Sequence, residues 1–252
     1  PISPVNGQNI MGRFPHTYSP ASDLTLQVYV DRTWRRDVTS TITDFLETYD
    51  VDLQHRFSIG KIQSFTWGLG YRFMHNHIIN GTEIAGFLPT SKDMQLGSGF
   101  VQDEVTIVPD RVKLTLGTKV EHTEFSGWEL EPGGRLGWTP NDHNTLWASV
   151  ARAVRTPTLS EEHSHFNQVE QTPFGPAVVQ MSGNQDFQSE KLTAYEAGYR
   201  VHPCDKASFD LAGFFNMYSD LRSVEMGAPA FPFIPATLAN GLYGNTYGFE
   251  AA

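Results

Sequence analysis

Apolar and polar residues alternate one by one over much of this chain. Leu24, Leu26, Val28 and Val30 are separated by Thr25, Gln27 and Tyr29, and Tyr49, Val51, Leu53, His55 and Phe57 by Asp50, Asp52, Gln54 and Arg56. Phe65, Trp67, Leu69, Tyr71 and Phe73 alternate in the same way with Thr66, Gly68, Gly70 and Arg72. A period of two sends successive side chains to opposite faces, so each run predicts a strand with one apolar and one polar face. Strands are expected over 7–16, 24–31, 49–57, 65–73, 100–108, 112–121, 144–154, 192–201, 207–221 and 245–252. A short strand at 135–139, preceded by a less regular stretch at 127–134, brings the total to about eleven. The fold class is all-β.

Gly, Pro, Asn and Asp punctuate the pattern. Short turns are expected at 18–22, 59–62, 109–111, 140–143 and 203–206, and long loops at 76–97, 156–190 and 222–243. Two connections, 37–42 and 122–129, are of modest length. Short and long connections thus alternate, as in an antiparallel up-and-down transmembrane β-barrel with short turns at one end and long loops at the other. Strands of roughly ten residues suit a tilted span. Trp34, Trp67, Trp128, Trp138 and Trp147 lie near strand ends or on strand faces, where an aromatic girdle would sit. No apolar run is long enough for a transmembrane helix. A soluble β-sandwich alternates for the opposite reason, with its apolar face inward, and periodicity does not separate the two.

The stretch 144–200 adds a set of motifs. An aromatic-containing strand ends in small residues and then Arg155-Thr156-Pro157; after the long polar connection comes Ser189-Glu-Lys-Leu-x-x-Tyr-Glu196-x-Gly198-Tyr199-Arg200. Gly99-Phe-Val-Gln-Asp-Glu104, Leu114-x-Leu-Gly117, Asp210 to Tyr218 and Tyr247-Gly-Phe-Glu250 follow the same style. In this order and spacing the pieces resemble the barrel of TonB-dependent outer-membrane receptors over nearly the whole chain, with Arg155, Pro157, Glu190, Glu196, Gly198 and Tyr199 as the family-like signature. The resemblance implies a barrel of about 22 strands filled by a plug. It also implies a bacterial outer-membrane location, contact with outer-membrane lipid, and uptake of a scarce ligand such as a ferric siderophore, haem or cobalamin, driven by the TonB complex. No plug segment, TonB box or closing strands are found, so residues 1–252 are expected to be a later part of a receptor barrel. A passive porin or surface adhesin, or a soluble β-rich binding protein, is the alternative.

Composition narrows the picture. The formal net charge is −10 and no Lys/Arg cluster exceeds Arg35-Arg36, so nothing would neutralise the phosphates of a nucleic acid. The single cysteine, Cys204, excludes an intrachain disulfide and a multi-cysteine zinc site. No secretory leader is read at Pro1, which implies removal by processing or truncation.

Candidate chemistry concentrates in the 156–190 connection. Glu161, Glu162, His163 and His165 combine carboxylate and imidazole, which can ligate a transition metal, and two histidines at i and i+2 share a face if the segment is extended. His75 and His77, at a strand end, follow the same logic. The bland reading of both groups is a solvated loop with incidental histidines, and no metal site is firmly expected. Glu161, Glu162, Glu170, Asp186 and Glu190 stand with no Lys or Arg between Arg155 and Lys191, so a polyanionic ligand would be repelled and a cation, cationic chelate or neutral ligand favoured. The acid pairs Asp50/Asp52 and Asp103/Glu104 could in principle form a hydrolase dyad, but the first lies on a polar strand face with Arg56 and reads as lining a wet lumen, so catalysis is not expected. No nucleophile elbow, phosphate loop or HExxH helix is present, so no enzyme activity and no cofactor are expected. Pro157 reads simply as a strand terminator.

Overall fold

The computed structural model describes residues 3–81, 84–204 and 206–252. In chain order the strands are β1 (Val5–Ser19), β2 (Ser22–Arg36), β3 (Thr43–Ile59), β4 (Gln63–Ile79), β5 (Ala85–Phe87), β6 (Ser91–Val108), β7 (Val112–Thr123), β8 (Gly127–Asn141) and β9 (Asn144–Arg155). The helix α1 (Leu159–His163), the only one among the described residues, follows, then β10 (Ser164–Thr172), β11 (Gly175–Ser182), β12 (Glu190–Cys204), β13 (Ala207–Met226) and β14 (Phe233–Ala251). The eleven long strands, β1–β4, β6–β9 and β12–β14, form one antiparallel meander, each paired with the next. The sheet is open. No helix among the described residues is long and apolar enough to cross a membrane.

The ladder register fixes which side chain lies on which face, because directly paired residues point the same way. The rows Val30–Tyr49–Phe73, Val28–Val51–Tyr71 and Leu26–Leu53–Leu69 run across β2, β3 and β4. They continue on the same face through Val101 and Leu116 to Leu136, Leu146, Tyr199 and Leu211. The opposite face carries Asp23–Arg56, Asp50–Arg72 and Lys113–Glu104 ion pairs. The apolar face is not folded into a core. Val51, Leu69, Leu116, Leu136 and Leu211 each keep 44–56% of their surface exposed. The buried apolar residues among those described, Ile78, Ala85, Met94, Ala177, Phe187 and Ala236, all lie toward the long-loop end. A sandwich would bury its strand faces; this sheet is a barrel wall that leaves its apolar face outward.

Trp34 and Trp128 stand on the outer face near the long loops, and Trp67 and Trp138 on that face near the short turns, giving two aromatic levels. Trp147 departs from this expectation. It pairs with Gly137 and Gly198 on the inner face, and the Arg135 guanidinium lies 4.7 Å from its ring. The missing side chain of Gly198 makes room for the indole.

The expected strands are present but longer, and the expected long loops shrink. The 76–97 loop is largely strand: β4 runs to Ile79, β5 interrupts the connection and β6 begins at Ser91, with residues 82 and 83 outside the description. The 222–243 loop likewise contracts between Met226 and Phe233. Polar and Gly-containing sequence there still pairs, because a cross-strand partner satisfies each backbone group whatever the side chain. The stretches 127–134 and 135–139 form the single strand β8, whose ladder to β9 starts just after Pro132 and shifts register across Pro140, the two positions that lack an N–H to donate. Of the 203–206 turn, residue 205 lies outside the described residues.

The 156–190 connection is ordered. β10 and β11 form a hairpin; β11 lies parallel to β14 over Val178–Ser182, and β10 pairs with β5 over Ser164–Phe166. The segment is therefore a strap, hydrogen-bonded from β14 at one end of the sheet to the β4–β6 connection several strands away.

Gly198→Val would force the Trp147 indole off its seat and is expected to cost about 1–3 kcal/mol. Gly97→Ala meets open space and is expected to be near neutral. The temperature at which the full-length protein loses its compact gel mobility measures both, and equal behaviour of the two variants would contradict the packing described.

Candidate functional site

The strap starts where β9 ends. Thr158 is extended (φ −108°, ψ 161°) and acts as N-cap of α1, and the Glu161 carboxylate accepts hydrogen bonds from the Thr158 backbone N–H at 3.0 Å and its hydroxyl at 3.1 Å. The Glu161 backbone N–H in turn donates to the Thr158 carbonyl at 3.0 Å, so donors left free by a helix start are satisfied. The helix stops after one turn because Ser164 returns to extended backbone (φ −78°, ψ 153°) and begins β10.

Arg155 holds this turn to the wall. Its two terminal nitrogens donate to the two oxygens of Glu161 at 3.0 and 2.7 Å, and Nε donates to Glu190 on β12 at 2.8 Å. Glu190 also accepts the Arg222 backbone N–H at 2.9 Å, while the Arg222 guanidinium lies 3.8 Å from Glu161. The Glu161 side chain is only 3% exposed. Burial alone would raise its pKa, but the Arg155 and Thr158 hydrogen bonds outweigh that and hold it below the usual carboxylate range. One planar guanidinium with a fixed donor fork can serve two carboxylates in this way; an ammonium would not.

A second cluster fixes the far end of α1 to β6. His163 Nε2 lies 2.8 Å from Lys92 Nζ and 3.6 Å from Glu162 Oε2, and the Leu88 backbone N–H donates to the His163 carbonyl at 2.9 Å. Lys92 also stands 4.7 Å from the Phe125 ring centroid. Burial, and then the Lys92 charge, push the His163 pKa down, so its imidazole is neutral and accepts from the lysine. Burial pushes Glu162 up to about 7, aided by Glu124 and opposed by Lys92.

Between α1 and the inner faces of β3, β4 and β6 lies a cavity of about 770 Å³, lined among others by Leu46, Met74, Ile78, Met94, Phe125 and Leu159. Asp44 and Arg35 form an ion pair at 3.1 Å at its side. Asn76 Nδ2 donates to Asp44 Oδ1 at 2.6 Å.

The structure does not bring the six loop candidates together. His75 pairs with Glu47 and Asp93 on the outer face, with Nδ1 2.5 Å from an Asp93 oxygen, and exposed His77 lies beside Phe45 there. Glu161, Glu162 and His163 are buried on the inner side. His163 is helical and His165 lies in β10 against Gly86, so the shared extended face expected of an i, i+2 pair does not form. Among the described residues no group of three or more His, Cys, Asp and Glu is arranged to hold a metal ion. Part of the acidity of the connection is offset from outside it: Arg155 and Arg222 stand against Glu161, Arg155 also against Glu190, and the Lys92 charge acts on Glu162, whereas Glu170 and Asp186 have no ion-pair partner among the described residues. Of the signature, Pro157 is buried in the cavity wall, Glu196 accepts from Ser149 Oγ at 3.3 Å and the Tyr199 hydroxyl donates to Asn144. Asp50 is paired to Arg72 at 2.8 Å, and Asp103 and Glu104, being adjacent in a strand, point to opposite faces. Sequence reasoning passed over Lys92, Arg222, Asp44 and Asn76; the one signal for Lys92 was its standing as the lone Lys or Arg between Arg72 and Arg111.

The raised Glu162 pKa has a consequence for stability. The folded state keeps a proton that the unfolded chain releases near 4.5, so this contribution is full below about pH 4.5 and is lost as pH rises through about 7. Glu162→Gln cannot ionise. Its strap is expected to match the wild type near pH 4 and to be more resistant above pH 7, by on the order of 1–2 kcal/mol. Thermolysin cleavage of the 156–189 segment in the full-length protein, variant against wild type at each pH, measures this; an advantage that is the same at both pH values would contradict it.

The wall, the strap and the cavity can be set beside known proteins. One family model, that of TonB dependent receptor-like β-barrels, matches residues 3–252. No curated protein matches the chain. Among solved structures, the siderophore receptor PirA from Pseudomonas aeruginosa is 16% identical, with 99% of this chain and 44% of that chain covered and a TM-score of 0.77. The ferric enterobactin receptor PfeA from the same organism is also 16% identical (99% and 49% covered, TM-score 0.71). A double mutant of the Serratia marcescens hemophore receptor HasR, in complex with its hemophore HasA and heme, is 13% identical (99% and 46% covered, TM-score 0.80). At such identities these likenesses show the fold, and the chain spans less than half the length of these three proteins. With its eleven-strand wall matched from end to end, the chain belongs to the TonB-dependent receptor β-barrel family.

Proposed function

We propose that this chain is part of an outer-membrane receptor that captures a scarce metal chelate at the strap-covered mouth and imports it through the barrel lumen. The cargo classes are a ferric siderophore, haem or cobalamin, and the energy comes from the TonB complex through regions outside this wall. The observation that carries the reading is the division of the sheet into two faces with a strap at one end only. An apolar outer face bounded by two aromatic levels suits outer-membrane lipid, and an inner face of paired charges suits a wet interior. Family membership supports transport over enzymatic chemistry. Glu161, Glu162, His163 and Glu190 act here as anchors that position the strap, with the ligand meeting the surfaces they hold in place.

Expression of the full-length gene in a bacterial strain lacking its own siderophore, haem and cobalamin receptors tests this. Uptake of radiolabelled ferric chelates, haem and cobalamin is followed with and without a functional TonB gene. At least one cargo is expected to enter roughly tenfold faster than in the vector control and only with TonB, as expected for capture at low concentration and not for diffusion. Uptake that survives loss of TonB, or no uptake of any class, would contradict the receptor reading.

A further inference from the structure

The inner face of the wall is polar along β3 and β4 through Asp50, Asp52, Gln54, Arg56 and Arg72, yet toward the strap the same face turns apolar. Leu46 and Ile42 precede Asp50 on β3 and its approach, Met74 and Ile78 follow Arg72 on β4, and Met94 pairs with Met74 from β6. This island breaks the alternation where a wet lumen calls for polar side chains. It lines the cavity of about 770 Å³ below α1, with Leu159 and Phe125 contributed from elsewhere. Gaps in packed protein interiors seldom exceed a few water volumes, whereas small-molecule pockets run to several hundred cubic ångströms and are mostly apolar with a few placed polar groups.

The polar groups at the island are already matched in charge. Arg35 is paired with Asp44, Asn76 donates to Asp44, and Arg36 is followed by Asp37 at the edge. The orientation of the Asn76 carboxamide is fixed, because its nitrogen faces two acceptors, Asp44 Oδ1 and the Phe45 carbonyl. Asn76 Oδ1 is buried without a partner among the described residues, and it is an acceptor. A polyanion entering the cavity would meet two carboxylates, Asp37 and Asp44, that unpaired acceptor and two guanidiniums whose charge those carboxylates offset, so that no net positive charge repays the loss of its own hydration.

We infer that this cavity seats an uncharged ligand, or an uncharged apolar part of one, and excludes polyanionic chelates. Met74 and Met94, unbranched and polarisable, adapt the wall to an irregular apolar shape. The inference rests on the receptor reading for the cargo's being a metal chelate and adds its charge class.

The test is equilibrium binding to the detergent-purified full-length protein, followed by tryptophan fluorescence. The probes are a panel of neutral ferric tris-hydroxamates and of anionic ferric tris-catecholates and ferric citrate. At least one neutral chelate is expected to bind about tenfold or more tightly than any anionic one. Met94→Trp, which fills the cavity, is expected to weaken that binding by about tenfold or more, while the near-isosteric Met94→Leu keeps it. Tighter binding of an anionic chelate overturns the inference and leaves the receptor reading standing. Neutral binding indifferent to Met94→Trp also overturns it, by placing the ligand elsewhere. Binding of no chelate in the panel overturns the inference and leaves the receptor reading to be decided by the haem and cobalamin arms of the uptake experiment.

Discussion

Register is the constraint on which the rest of this structure depends. Along the meander each residue is committed by its cross-strand partners to one face, and a slip of a single position would turn every apolar row of a strand inward. The pairing runs without interruption from Ser22–Phe57 to Arg36–Thr43 between β2 and β3 and from Thr43–Ile79 to Ile59–Gln63 between β3 and β4. Register shifts are confined to strand ends and short turns such as Val201/Cys204 and Thr106/Val108, and to the loop end of β13. Long ladders of this kind satisfy the backbone within the sheet, which is what a hydrocarbon surrounding requires.

The strap depends on that wall for its position. Arg155 is the last residue of β9, and its side chain ties α1 to β12 through two carboxylates at once. Lys92 receives the other end of the same short helix from the opposite side of the cavity. The helix has one turn and would not persist alone; capping, the Arg155–Glu161 ion pair, the Lys92–His163 hydrogen bond and the β5–β10 pairing give it a defined place. The Arg-Thr-Pro signature thus has a local physical meaning: a fork that clamps, then a residue that ends the ladder and starts the crossing.

Much of the wall was legible in the sequence, because period two is a local signal that the ladder preserves. Tyr49 to Phe57 and Phe65 to Phe73 lie on the faces their alternation assigns. The parts that were not legible depend on distant partners. Segments such as 76–79 and 91–97, with their Gly, Ser and Asp neighbours, are strand because β4 finds β3 and β6 there, and β10 and β11 exist because β5 and β14 offer edges. At the site, Glu161 and Glu162 look like a solvated acidic pair until Arg155 and Lys92 are brought against them. The inward turn of Trp147 was invisible for the same reason, since its space is made by Gly198 on another strand.

The central claim is that the alternating wall faces lipid on one side and water on the other. The most direct measurement places single cysteines at consecutive positions 49–54 and 67–72 of the full-length protein in isolated outer membranes, and follows labelling by a charged maleimide beside quenching by a lipid-soluble spin label. The account predicts a period of two: Asp50, Asp52, Gln54 and Arg72 label, whereas Val51, Leu53, Leu69 and Tyr71 are quenched from the bilayer. Uniform labelling of both sets, or apolar positions shielded from both reagents in a protein that stays in solution without detergent, would contradict it.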